Sequence, residues 1–164
     1  MHETEDMRVQ LKLVLDAHPD AVWAALKSPG VLAEVAHPFF SFEPLSPRGL
    51  PRVWTEGEHP VAASVLWGTI PVGQQLIDIG FRERGGVRII EDDGGPVSGV
   101  LAVITSWRHR MAVSPAPDGR TLYRDRLDIS AGLLTPIVWI GAWLFWQWRA
   151  FQLSRLAPTW RTTS

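Results

Sequence analysis

The stretch Thr135-Pro-Ile-Val-Trp-Ile-Gly-Ala-Trp-Leu-Phe-Trp-Gln-Trp148 holds four of the nine tryptophans of this chain and no charged residue. Pro136 suits a first helical turn and Pro158 a stop, so the spacing predicts one helix from about Thr135 to Ala157. Two apolar stripes run along it. Trp139, Trp143, Trp146, Ala150, Leu153 and Ala157 recur at steps of four and three, while Ile137, Ile140, Leu144, Trp148 and Phe151 form a line nearly opposite. Indole rings in this number need a large apolar surface to cover. The first stripe is expected to face a sheet, with Trp139, Trp143 and Trp146 as the roof of an oily cavity. The second stripe needs another cover: the two small helices, the loop after residue 45, or a partner subunit or membrane surface met through Ile140, Leu144 and Trp148. Beyond it, Arg149, Gln152 and Arg155 are expected to turn that side polar. The uncharged helical part is too short to span a bilayer, since about 13 residues at 1.5 Å each reach about 20 Å against a hydrocarbon core of about 30 Å.

The residues before that helix read mostly as strands. Val9, Leu11, Leu13 and Leu15 alternate with Arg8, Gln10 and Lys12, which is the pattern of a half-buried strand. At His18-Pro19-Asp20 the period turns helical, with Pro19 at a first helical position and Asp20 at the positive end of the dipole. Ser28-Pro29-Gly30 interrupts it, and a second short helix runs through Val31, Leu32 and Val35 to end before His37-Pro38. From Phe39 to Ile129 Gly and Pro punctuate strand-like segments at about 39–45, 53–58, 61–70, 74–83, 86–92, 98–113 and 121–130. The clearest turns are Ser114-Pro-Ala-Pro-Asp-Gly119 and Asp92-Asp93-Gly94-Gly95. The order predicts an α+β domain over residues 8–158 with flexible ends at 1–7 and 159–164.

Composition narrows the function. With 46% hydrophobic and 20% charged residues and a formal net charge of −1, the chain lacks the basic excess of a nucleic-acid binder. It has no cysteine, so disulfides, thiolate nucleophiles and Cys-ligated zinc are excluded. The acidic start, Met1 to Asp6, does not read as a secretory signal, and a cytoplasmic protein is expected. No two histidines share metal-ligand spacing, and there is no phosphate loop or nucleophile elbow, so neither a metal nor a cofactor is expected.

The sharpest local signal lies in the hairpin of 98–113 and 121–130. Trp107, His109, Met111 and Val113 share one face, and Tyr123, Asp125, Leu127 and Ile129 share one face of the next strand. With the turn centred near Pro117, His109 lies opposite Asp125 and Met111 opposite Tyr123. Arg108, Arg110, Arg124 and Arg126 then point outward, because four like charges are costly in a core. A buried His109–Asp125 pair on an apolar wall can move protons as acid and base, or can satisfy its own hydrogen bonds and orient a ligand. Trp23 and Trp67 are further candidates for the cavity wall.

The stretches Ala17-His-Pro-Asp-Ala-Val-Trp23, Leu50-Pro-Arg-Val-Trp-Thr-Glu-Gly57, Leu66-Trp-Gly-Thr-Ile-Pro-Val-Gly73, Trp107-Arg-His-Arg110 and Gly119-Arg-Thr-Leu-Tyr-Arg-Asp125 cover most of the chain in order. In them the chain resembles the SRPBCC, or START-like, superfamily. That resemblance implies the helix-grip fold, a curved antiparallel sheet of about seven strands wrapped around the last helix with a hydrophobic cavity between. Relatives often place Ser where this chain has His18, which leaves side-chain capping of the first helix open. The superfamily holds lipid carriers, hormone binders, polyketide cyclases, aromatases and oxygenase domains, so it implies no single activity. The expected function is binding or transport of a lipid, fatty acid or aromatic polyketide-like compound. A cyclase, aromatase or dehydratase using His109 and Asp125 is the enzymatic alternative. The interaction module described above is the third.

Overall fold

The structure is a computed structural model that describes residues 5–161. β1 (Met7–Leu15) leads into α1 (Pro19–Leu26) and α2 (Pro29–Ala36). The His18 Nδ1 atom accepts the Asp20 backbone N–H at 3.2 Å, so histidine does cap α1, and Ser28 Oγ accepts from Val31 N at 3.4 Å at the start of α2. The sheet follows as β2 (Phe40–Pro44), β3 (Gly57–Val65), β4 (Ile70–Arg84), β5 (Val87–Asp92), the two-residue β6 (Gly95–Pro96), β7 (Ser106–Pro115) and β8 (Thr121–Ser130). α3 (Thr135–Leu156) closes the chain, followed by a 3-10 turn at Ala157–Thr159. Every strand pairing is antiparallel, in the order β1-β8-β7-β5-β4-β3-β2, with β6 beside β4.

Three expected strands differ, and one of them, 61–70, joins the end of 53–58 in β3 and stops at Val65, where residues 66–69 turn into β4. Residues 53–55 belong to the loop between β2 and β3, where Trp54 is buried in the core and its N–H donates to Lys27 O at 2.7 Å. Trp54 packs as a plug under α1 rather than as a strand residue. The segment before β7 holds a 3-10 turn, Val100–Val103, so the strand begins only at Ser106. The expected flexible ends also change where they are described: Met7 opens β1, and Trp160 packs against the core. The rest of that expectation, 1–4 and 162–164, lies outside the described residues.

α3 crosses the concave face. Its contact with the sheet is strongest at β1, where the Trp139 Nε1–H donates to Arg8 O at 2.9 Å. At the other edge Phe145 meets Phe40 edge-on at 4.9 Å, and the Trp148 Nε1–H donates to His37 O at 3.0 Å. The helix is thus held at both margins of the sheet and bridges the space between. The buried apolar residues form two clusters, one around Leu15, Val22, Ile90, Tyr123 and Leu153, the other around Val9, Leu127, Ile129 and Trp146.

Gly141 sits in the middle of α3, exposed, with no atom within 4 Å of where a Cβ would be. A helix-interior glycine costs about 0.5–1 kcal/mol relative to alanine. Gly141→Ala is therefore expected to raise unfolding stability by about that amount in urea titrations. A loss instead would mean that the helix needs a bare backbone there.

Candidate functional site

β7 and β8 place the site. Their register pairs Met111 with Asp125, His109 with Leu127 and Val113 with Tyr123. This is two residues away from the expected pairing of His109 with Asp125 and Met111 with Tyr123. The reason is the turn: Pro117–Gly119 forms a 3-10 turn in which Asp118 takes a left-handed φ of 62°, so the hairpin is centred one residue later than Pro117. The parity of the strands is unchanged, so the predicted faces hold. His109 reaches Asp125 along the diagonal, with Nε2 at 2.7 Å from Oδ1. The exposed faces carry Arg108, Arg124 and Arg126, and Arg110 reaches Glu91 and Asp93 there at 3.1 and 2.6 Å.

Asp125 is the centre of a buried network. Its Oδ1 accepts from His109 Nε2 and from the Trp146 Nε1–H at 3.0 Å; its Oδ2 accepts from the Tyr123 hydroxyl at 2.6 Å and from Arg149 NH2 at 2.9 Å. A carboxylate with four donors has no protonated form that fits. Burial alone would raise the Asp125 pKa, but the charges of His109 and Arg149 and these hydrogen bonds hold it well below the usual range. Because an ionised carboxylate only accepts, His109 Nε2 carries the proton, leaving Nδ1 as the remaining polar atom of the ring. The Tyr123 hydroxyl is shifted well upward, by burial first and then by the Asp125 charge, so it stays a neutral donor. Burial would lower the Arg149 pKa, yet Asp125 more than offsets it and the guanidinium is held charged.

Arg149 corrects the sequence reading. It was expected on a polar outer side of α3, together with Gln152 and Arg155. Instead Arg149 is only 4% exposed and faces the sheet, and Gln152 is buried too, its amide donating to Glu34 O at 3.3 Å. Arg155 Nε closes that chain on Gln152 Oε1 at 3.0 Å. An isolated arginine in an apolar helix could have been matched in advance with the lone inward carboxylate of β8, since a buried Asp needs a cation more than a histidine can supply.

Beside the network lies a cavity of about 340 Å³, within the ordinary range for small-molecule sites. Its walls are Leu26, Val31, Leu32 and Val35 from α1 and α2, Phe40 and Phe42 from β2, Trp54 from the loop after it, Ile77, Ile79, Met111 and Ile129 from the rest of the sheet, and Val138, Ala142, Phe145, Trp146 and Leu153 from α3. Polar groups enter it from one wall: Asp92, Trp107, His109 and Arg149, with Gln75 nearby. Asp92 pairs with His109 across β5 and β7, and its Oδ1 accepts from Asp78 N at 2.9 Å and Gly94 N at 3.1 Å, patching the ladder where β5 breaks before β6. Burial pushes its carboxyl up, against those two N–H groups and the His109 charge.

Of the residues expected to line the site, Trp107, His109, Met111 and Trp146 do. Asp125 and Tyr123 lie behind the wall as its support. Trp139 and Trp143 do not form the roof: Trp139 caps the β1 margin and Trp143 is 42% exposed. The inward face of α3 is instead Ala142, Phe145, Trp146, Arg149 and Leu153, turned away from the predicted stripe toward Phe145. Both sides of the helix are apolar up to Trp148, so side-chain period alone could not fix its rotation. Trp67 stands in solvent, and Trp23 packs edge-on against Phe81 at 6.0 Å, outside the cavity. Among the described residues no cluster of metal-ligating side chains occurs.

Asp125→Asn places an amide N–H₂ among four donors and strips Arg149 of its counter-charge. It is expected to cost about 3–5 kcal/mol at pH 7. In the wild type the Asp125 contribution is complete above about pH 4, where an aspartate of the unfolded chain is ionised, and is lost as pH falls toward the depressed folded value. Asp92 has the opposite sign: its raised pKa erodes stability as pH rises from about 4 through the folded value. Relative to wild type, Asp92→Asn should therefore gain stability between pH 4 and 7 in denaturant titrations; a constant difference across that range would contradict the assignment.

No model of a known protein family matches this chain, and no curated protein matches it in sequence. Solved structures do match it in shape. A hypothetical protein from Helicobacter pylori has a TM-score of 0.68 at 8% identity, covering 96% of this chain and 91% of its own. An aromatase/cyclase from a Streptomyces species has a TM-score of 0.65 at 12% identity, covering 93% of each chain. Norcoclaurine synthase from Thalictrum flavum, seen in complex with dopamine and hydroxybenzaldehyde, has a TM-score of 0.62 at 13% identity, covering 96% of this chain and 90% of its own. The sheet order, the two short helices after β1 and the long last helix are those of the helix-grip fold.

Proposed function

We propose that this protein binds, and carries or presents, a small molecule with an apolar body and an acceptor oxygen. The observation that carries this reading is the pairing of an apolar cavity of about 340 Å³ with polar groups gathered on one wall. Trp107, His109 and Arg149 bring N–H groups to that wall. A ligand carbonyl, phenol or carboxyl oxygen accepting from one of these groups would add about 0.5–1.5 kcal/mol net. The apolar body supplies the rest. At about 0.8 kcal/mol per methylene, an eight-carbon chain or a bicyclic ring of similar size offers about 6 kcal/mol before ordering costs. Lipids, fatty acids and aromatic polyketide-like compounds fit this description. Membership of the SRPBCC superfamily is part of the same proposal, supported by the motifs in the sequence and by the shared fold.

A cyclase or aromatase role is the second reading, favoured by one observation. His109 lines the cavity with its Nε2 held on Asp125 at 2.7 Å, and a solved structure of the same fold is an aromatase/cyclase. In that role the cavity would fold a reactive chain and His109 would take and return protons.

Ala142 lines the cavity from α3. Ala142→Phe is expected to fill the space and lower the affinity for a neutral naphthylamine dye, and for any compound that co-purifies in native mass spectra, by at least tenfold with stability retained. Unchanged affinity would place the ligand elsewhere. His109→Gln separates the two readings: a carrier keeps binding with that substitution, whereas an enzyme loses turnover of the co-purifying compound by about 10²-fold or more.

A further inference from the structure

Charge is distributed along this molecule by end. Four stretches contain no Asp, Glu, Lys or Arg: 35–42, 60–77, 94–107 and 129–148. They are far apart in sequence and meet in space. The Trp67 N–H donates to Pro38 O at 2.9 Å, and Phe39 packs edge-on against Trp148 at 5.2 Å. A Cβ on Gly99 would come within 2.6 Å of Gly73 Cα, and Thr105 N donates to Ser130 O at 2.8 Å. One end of the sheet, from the β3–β4 hairpin to the start of α3, is therefore free of charge except at its β1 edge, where Glu5 and the Asp6–Arg108 pair stand. The opposite end carries Asp118 and Arg120 at the β7–β8 turn, Arg84 at the end of β4, and the Arg88–Asp20 pair between β5 and α1.

Apolar side chains stand out from that end. Leu133 is 97% exposed, Val100 71%, Ile137 69% and Trp67 66%. They sit on separate tips: the turn before α3, the 3-10 turn before β7, the first turn of α3, and the β3–β4 hairpin. That hairpin holds Leu66 and Trp67 at left-handed φ of 51° and 59°, positions where Asn and Gly are the usual choice and a larger side chain costs about 1–2 kcal/mol each. The strain serves to display a leucine and an indole at the tip. Leu101, Ile104, Val138 and the exposed Gly141, all cavity-lining residues, belong to the same uncharged stretches, so the cavity reaches toward this end.

We infer that this end docks on the surface of an electrically neutral lipid bilayer, with Trp67, Val100, Leu133 and Ile137 immersed and the cavity mouth facing the lipid. The lack of charge from the β3–β4 hairpin to the first turn of α3 matches the hydrocarbon boundary, and an indole on a tip suits the water–lipid interface. Separate protruding tips penetrate a fluid, whereas a protein partner needs a flat or grooved complementary face. A second copy related by a two-fold axis would set mouth against mouth and close both. No helix among the described residues is long and apolar enough to cross a membrane, so the contact is with one leaflet. This inference rests on the surface and stands apart from the ligand reading.

The test is flotation of the full chain with phosphatidylcholine vesicles, at low salt and in 1 M NaCl, beside light scattering of the protein alone. The wild type is expected to float at both salt concentrations and to remain monomeric without lipid. The double variant Trp67→Glu, Ile137→Glu touches neither the core nor the cavity wall. It should lose vesicle partitioning by at least tenfold while keeping its melting temperature and its naphthylamine dye binding in solution. Failure of the wild type to float, or flotation unaffected by the double variant, overturns the inference, as does a dimer that the same substitutions dissociate. Flotation without dye binding would instead sink the ligand reading and leave this one standing.

Discussion

One carboxylate decides how this molecule is put together. Asp125 is buried on β8 and takes hydrogen bonds from two neighbours on the sheet, His109 and Tyr123, and from two residues of α3, Trp146 and Arg149. The two helix donors lie almost one turn apart, so a single point on the sheet fixes both the height and the rotation of α3. An apolar helix on an apolar sheet has many nearly equivalent rotations; a buried charge that must meet its counter-charge has one. Apolar packing supplies most of the stability and the ion pair supplies the uniqueness.

That constraint also explains why the interior is not solid. With Trp146 and Arg149 pinned toward β7 and β8, and with Trp139 and Trp148 bonded to backbone at the two margins, α3 cannot settle deeper onto β3 and β4. The space left is lined by Phe145, Ala142 and the apolar faces of α2, β2 and β4, and is closed at one end by Trp54 and α1. Burial of the indoles at the edges keeps the middle open. The same arrangement puts the network behind the wall, where it shapes the polar side of the cavity through His109 without opening Asp125 to it.

Much of this was legible in the residues. Strict alternation in 8–15 and 121–130 gave the inward faces, and parity alone was enough to bring His109 and Asp125 together despite a turn centred one residue late. The run from β2 to β8 followed from antiparallel neighbours separated by Gly and Pro turns, whereas the pairing of β1 with β8 did not, because no local signal links strands so far apart in the chain. What could not be read has physical reasons. The rotation of α3 was hidden because residues 136–148 are apolar all round, so Phe145 was overlooked and Trp143 misplaced. Arg149 looked like a surface residue because a buried guanidinium is intelligible only with its partner. Trp54 and the segment before β7 were taken for strand because an apolar loop that plugs a core has the composition of a strand.

Xenon binding to crystals of the protein, with the structure refined at high resolution, measures the central claim most directly, because it reports the void and the tie that maintains it together. The account predicts xenon density between Phe145, Trp146 and Ile77, with Arg149 seated on Asp125. A filled interior without xenon, or an Arg149 side chain turned to solvent over an intact cavity, would contradict it.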